Sequence, residues 1–159
     1  MKRGFTLLLA EDDPNDAMLF QRALEESARI AAVPIRLQVI GDGEQAIEYL
    51  KGEGEFQDRD KYPFPEIVVT DLKMPRLNGL GVLAWLRENE QYQRMPKILL
   101  SGSSEECDVD EAYRLGANTF FQKPDSLGEY RELVYHIVCY WAHTQRPMIR
   151  HAARAALAT

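Results

Sequence analysis

The chain has 159 residues, enough for one domain with an ordinary core. Its apolar fraction of 45% and charged fraction of 28% fit a soluble globular chain and leave little room for global disorder. Twenty-five acids against nineteen bases give a net charge of −6, which argues against a nucleic-acid partner gripped by the surface as a whole.

In chain order, short apolar runs alternate with longer amphipathic ones. The spacing predicts a buried strand over Phe5–Ala10 and a helix over residues 14–29, with Asp13 as N-cap and Pro14 at the first helical position. Ile35–Ile40 reads as a second strand, and Gly41-Asp42-Gly43 turns the chain into a short helix over residues 44–50. Residues 51–65, with Gly52, Gly54, Pro63 and Pro65, form a long loop. Ile67–Thr70 is a third, fully buried strand ending at Asp71, and Asn78 caps a helix whose Gly79, Val82, Leu83 and Leu86 share a face. Lys97–Ser101 is the fourth strand, followed by a helix over residues 105–115 closed by Gly116. A fifth strand covers residues 118–122, and the last helix runs over residues 126–143.

Five strands alternating with five helices imply an α/β fold, an open five-stranded parallel sheet with helices on both faces. That domain takes residues 1–143; the remainder, 144–159, is an alanine-rich tail that reads as helical or as an arm clasping a second copy. Arg146, Arg150 and Arg154 recur there at four-residue steps, the pattern of one helix face. Cys107 and Cys139 lie far apart and form no Cys-x-x-Cys pair, so they read as inert small hydrophobes rather than a disulfide or zinc set. The apolar run at residues 7–10 stops at Glu11, too early for a signal peptide, and no segment approaches a membrane span. The expected location is the cytoplasm, without a membrane partner.

Open parallel sheets bind ligands outside the carboxyl ends of their strands. There the sequence places Glu11-Asp12-Asp13 after strand one, Asp71 after strand three, Ser101-Gly102 at strand four and Lys123 after strand five. Carboxylates crowded in a cleft disfavour one another's charged forms. A hard divalent cation with oxygen ligands, Mg2+ above all, resolves that conflict. A lysine and a serine beside it suit phosphate oxygens, and the implied chemistry is phosphoryl transfer. Asp13 is set apart as a helix cap. His136, His143 and His151 read as surface residues, and Trp85 as a surface aromatic or a contact residue.

These residues, in this order, resemble the receiver domain of two-component response regulators. The resemblance rests on Leu8-Leu9-Ala10-Glu11-Asp12-Asp13-Pro14, Val68-Val69-Thr70-Asp71-Leu72-Lys73-Met74-Pro75, Leu100-Ser101-Gly102 and Phe120-Phe121-Gln122-Lys123-Pro124, and four spaced motifs in order make it specific. It implies that Asp71 accepts a phosphoryl group from a sensor histidine kinase. Asp12, Asp71 and the Lys73 backbone carbonyl would bind Mg2+ or Mn2+, with Glu11 acting through water. Ser101 and Lys123 would contact the phosphoryl oxygens, Gly102 would leave them room, and Phe120 would occupy the switch position. The family often has a cis bond where this chain has Lys123–Pro124. It also often has tyrosine at 120 and asparagine at 73, and here Lys73, with Ser103, would tune the lifetime of the phosphoryl group.

The last helix is apolar beyond the stripe of Leu127, Tyr130, Val134, Ile137 and Trp141 that a sheet requires, since Leu133, Val138 and Tyr140 widen it. Single-domain receivers found beside bacterial phytochrome kinases resemble the chain in the long middle loop and the terminal aromatic pair. That resemblance implies a bacteriophytochrome as the kinase and a homodimer anchored by Tyr140 and Trp141. Two other readings compete with a phosphorylated signalling protein: a dimeric scaffold indifferent to phosphorylation, and a Mg2+-dependent phosphohydrolase. The second normally needs an aspartate where this chain has Lys73.

Overall fold

The computed structural model describes residues 2–149. Five strands, β1 (Phe5–Ala10), β2 (Ile35–Ile40), β3 (Ile67–Thr70), β4 (Lys97–Ser101) and β5 (Thr119–Gln122), alternate with five α-helices: α1 (Pro14–Ala31), α2 (Gly43–Lys51), α3 (Gly79–Glu88), α4 (Glu106–Arg114) and α5 (Leu127–His143). The sheet is parallel, in the order β2-β1-β3-β4-β5, with Leu7 opposite both Leu37 and Ile67. The α/β architecture and every strand fall where the apolar runs predict them, to within one residue.

Alternation along the strands sorts side chains between two faces. Leu7, Leu9, Ile67, Val69, Ile98 and Leu100 meet Phe20 and Leu24 of α1 and Val134, Ile137 and Trp141 of α5. Leu8, Ala10 and Val68 meet Ala46, Tyr49 and Leu50 of α2 and Val82 and Leu86 of α3. Leu99 and Phe120 join Leu83 and Ala112 in a smaller cluster toward α4. The central strands are covered on both sides, which explains why their sequences run apolar without a break.

Side chains cap four of the helices, and the sequence marks two of those caps, Asp13 and Asn78. The Asp13 carboxylate accepts from the Asn15 and Asp16 N–H groups with Pro14 next in line, and Asp42, Asn78 and Ser126 cap α2, α3 and α5. The long loop contains a 3-10 turn (Gly54–Gln57) that buries Phe56, whose ring packs against Tyr49 and Tyr62. The Arg59 guanidinium lies 5.6 Å from the centres of both the Tyr49 and Phe64 rings, and it donates to the Leu50 and Tyr62 carbonyls. An aromatic cluster therefore organises a segment that composition marks only as polar.

Four local expectations need correction. Among the described residues no peptide bond is cis, so Lys123–Pro124 is trans, the form an X–Pro bond intrinsically prefers by about 0.5–1 kcal/mol. Trp85 is half-buried on the Tyr92 ring at 4.9 Å rather than free on the surface. Cys107 is exposed, unlike half-buried Cys139. Arg146 does not lie on a solvated helix face. Residues 144–149 take no helix and fold back, with the Arg146 side chain 2% exposed. It donates to Glu66 and to the carbonyls of Trp141 and Gly4, over the Phe5 ring. Arg150, His151 and Arg154 lie outside the described residues.

Candidate functional site

Strand order reverses between β1 and β3, and that point opens a crevice at their carboxyl ends. β1 delivers Glu11 and Asp12 into it, and β3 delivers Asp71. Ligand oxygens of Glu11, Asp12 and Asp71 all lie within 4.8 Å of one another. β5 exits into Lys123, whose amine sits 2.7 Å from Glu11 Oε2, 3.0 Å from Asp16 Oδ2 and 3.2 Å from Asp71 Oδ2. The sequence motifs thus converge on one rim, across 112 residues in the case of Glu11 and Lys123.

Asp71 is held at both carboxylate oxygens. Oδ1 accepts from the Leu72 N–H at 2.6 Å, and Oδ2 faces Lys123. Its backbone is held as tightly. The carbonyl accepts from the Thr70 hydroxyl, and a Cβ on Gly79 would lie 2.2 Å from that same oxygen. Only glycine lets the first turn of α3 approach so closely.

Glu11 is 6% exposed, and burial pushes its carboxyl up to about 7 even though Lys123 and the Asp13 N–H favour the charged form. Burial works against the Lys123 charge too, but hydrogen bonds to Glu11 and Asp16 and the nearby Asp71 charge outweigh it and hold the amine above the ordinary lysine range. An ammonium is the present counter-charge for this acidic cleft. The all-oxygen donor set of Glu11, Asp12 and Asp71 fits a hard divalent cation and offers nothing to a thiophilic one.

The remaining predicted residues surround this centre. Ser101 is 1% exposed; its hydroxyl accepts from the Ser103 N–H, and its carbonyl accepts from the Lys123 N–H at 2.7 Å. A Cβ on Gly102 would meet nothing within 4 Å, which leaves open space at the β4 exit. Phe120 is half-buried against the small cluster toward α4, and its N–H donates to the Tyr113 hydroxyl. Lys73 is exposed, two residues past Asp71. Asp13 caps α1 and stays out of the carboxylate group. Tyr140 is 63% exposed, whereas Trp141 is buried in its own chain's core.

Two features escape the sequence reading. Asp16, one turn into α1, is a direct partner of Lys123; the only signal for it is a third acid after Asp12 and Asp13. Arg76, at φ 65°, reaches from the loop after Asp71 to the fully buried Asp42 carboxylate. No sequence pattern marks that pair.

Residues 7–135 match the family model of the response regulator receiver domain. The chain belongs to that family. It is therefore a receiver-domain response regulator of two-component signalling, a class of signalling proteins that are generally not enzymes and that bind a divalent metal. Response regulator Rcp1 of Synechocystis is 30% identical over 87% of this chain and 89% of its own. A structure of the Mn(2+)-bound form of Rcp1 superposes with a TM-score of 0.80 at 29% identity, covering 91% of this chain and 99% of that one. RPA3017, a response regulator in red light signalling of R. palustris, has a TM-score of 0.79 at 34% identity over 90% of this chain and 98% of its own. The phosphorylated cyanobacterial phytochrome response regulator RcpA reaches 0.82 at 29% identity, over 91% and 99%. Among the described residues no helix is long and apolar enough to cross a membrane.

Proposed function

We propose that this receiver takes a phosphoryl group onto Asp71 from a sensor histidine kinase and passes the signal on through protein contact. The observation that carries the reading is the grip on Asp71, with the Leu72 N–H on one oxygen and the Lys123 amine on the other, beside Glu11 and Asp12. In the transfer a carboxylate oxygen of Asp71 attacks phosphorus as the P–N bond to a phosphohistidine breaks. The electron pair and a proton end on the imidazole. The leaving side of the reaction belongs to the kinase, so this chain's task is to orient the acceptor and stabilise charge on the equatorial oxygens.

Asp12, Asp71 and the Lys73 carbonyl are the ligands we assign to Mg2+ or Mn2+, with Glu11 acting through water. Bound there, the cation would supply charge neutralisation for the phosphoryl oxygens. Lys123 would take one such oxygen, Ser101 would rotate its hydroxyl from Ser103 to another, and the space at Gly102 admits the group. Movement of Ser101 would then draw Phe120 inward. The balance between two packed arrangements shifts only because the phosphoryl group contacts one of them better.

The phytochrome and red-light associations of RcpA and RPA3017 support a phytochrome-type histidine kinase as donor. Output is proposed to run through a symmetric pair of chains along α5, where Tyr140 presents its ring and Trp141 backs it at 5.0 Å. The deciding experiment is incubation with acetyl phosphate and Mg2+ followed by peptide mass analysis. One phosphoryl group on the Asp71 peptide is expected, none in Asp71→Asn, and none without Mg2+. Modification at another residue, or none in the wild type, overturns the reading.

A further inference from the structure

The Lys123 ammonium has three N–H donors, and three carboxylates take them: Glu11, Asp16 and Asp71. Two of the three, Glu11 and Asp71, also belong to the group that would face a divalent cation; Asp16 does not. A cation drawing on Glu11 and Asp71 weakens their hold on the lysine, and its own charge repels the ammonium at short range. Lys123 sits on a flexible four-carbon stem, so nothing in its own chemistry keeps it there.

We propose that Asp16 is the positioning residue that keeps the Lys123 ammonium at the phosphoryl site once a divalent cation has claimed Glu11 and Asp71. The inference rests on the function proposed above. Asp16 suits the task by its place in the fold. It stands in the first turn of α1, a helix fixed by the Asp13 cap and by packing on α5. Its carboxylate is 39% exposed against 4% for Glu11 and lies outside the cation-facing group, so it is free to pair with Lys123 alone.

The test is the rate at which Asp71 gains a phosphoryl group from acetyl phosphate and Mg2+, a step in which the bond from phosphorus to the acetate oxygen breaks, acetate leaves and a bond to an Asp71 oxygen forms. Asp16→Asn should slow it about fivefold, the worth of a partly exposed ion pair. That sign is informative. Removing a negative charge near an anionic donor would by itself speed the reaction, and Asp13→Asn, which keeps the cap, measures that effect. Asp16→Glu should recover most of the rate. In a Lys123→Met background, Asp16→Asn should cause no further slowing.

A second measurement does not depend on phosphorylation. Labelling of Lys123 by an amine-reactive ester, read by peptide mass, should rise on adding Mg2+ in Asp16→Asn and change little in the wild type. An Asp16→Asn rate equal to or above wild type, or Mg2+-independent labelling in the variant, overturns the inference. A wild type that gains no phosphoryl group overturns the functional reading instead, and the labelling result still decides what Asp16 does.

Discussion

The Arg76 guanidinium closes on the Asp42 carboxylate, 34 residues earlier in the chain. Arg76 lies in the loop that follows Asp71 and carries Lys73, and Asp42 is the buried cap of α2. Next to the pair the Gly43 N–H donates to the Leu77 carbonyl, so the acceptor loop is fastened to the β2–α2 turn at two points. A residue other than glycine at φ 65° is uncommon and costs on the order of 1 kcal/mol. The ion pair is the interaction visible here that offsets it.

That pair has a pH signature. Burial works against the Asp42 charge, but Arg76 and the Gln45 N–H outweigh it and hold the carboxyl below its ordinary value. The folded pKa is therefore lower than the unfolded value of about 3.9. Stability from this group is complete above the unfolded value and is lost as pH falls through the folded one. Asp42→Asn keeps the cap and removes the charge, so its deficit against wild type in thermal unfolding should shrink as pH drops from about 5 toward 3. Asp42→Ala should lose about 1 kcal/mol more at every pH through the missing cap. A deficit independent of pH would rule out the ion pair as its source.

Lys97 behaves in the opposite sense. It is 4% exposed at the start of β4, and its amine donates to the Gln93 and Met95 carbonyls without a carboxylate among those partners. Burial lowers its pKa from the ordinary lysine value. A lysine depressed in the folded state carries a penalty while charged, and that penalty fades as pH rises through the folded pKa toward the unfolded value of about 10.4. Wild type should gain stability relative to Lys97→Met as pH rises from neutral toward the unfolded lysine value of about 10.4, measured by denaturant titration. A flat difference would show that the amine keeps its charge at no cost.

What the sequence made legible was local. The strands of 4 to 6 residues are apolar runs between turn residues, and Asp13 and Asn78 announce helix starts by chemistry that acts within one turn. The carboxylates and Lys123 were legible because strand exits in a parallel sheet share an edge. Asp16 was not, since an acid in a first helical turn already has a reason to be there in the helix dipole. Arg146 was misread for the same kind of reason. Its spacing from Arg150 and Arg154 fits a helix, whereas its partners Glu66 and Gly4 are 80 and 142 residues away. Contacts at that separation leave no periodic trace.

The Arg146 contact ties the end of the described chain to its beginning. Its guanidinium satisfies Glu66 and the main-chain carbonyls of Arg3, Gly4 and Trp141 while buried, so Arg146→Ala leaves several acceptors without a donor. We expect a loss of about 2 kcal/mol, less than the roughly 3–5 kcal/mol of a fully buried broken pair because Glu66 is 28% exposed. In a chain of this size that lowers Tm by about 4–8 °C. Arg146→Lys should recover part of it, lacking the planar fork. An unchanged Tm would mean that the fold-back contributes nothing to the domain.

Divalent cation binding should be visible as stability. A ligand held only by the folded chain stabilises it by about 2.7 kcal/mol at a hundred times its Kd. Saturating Mg2+ should therefore raise Tm by about 5–10 °C. Asp12→Asn should abolish that rise while leaving the metal-free protein folded. An equal rise in the variant would place the cation elsewhere.

Because Trp141 is buried in its own core, pairing along α5 has to be tested at Tyr140. Trp141→Ala would open a cavity costing about 3–5 kcal/mol, and a change in mass would then report unfolding. Tyr140 is 63% exposed, and its ring makes an edge contact with Trp141 at an interplanar angle of 81°, a rigid aromatic presented outward. If it anchors a symmetric pair, Tyr140→Ala should cost about 2 kcal/mol of association, roughly a thirtyfold weaker dimer. Sedimentation velocity across a concentration series should then show wild type as dimer where the variant is monomer, with equal Tm for the dissociated chains. A wild type that sediments as monomer throughout rules out the pairing, and the Tyr140 ring would then be surface without a second copy.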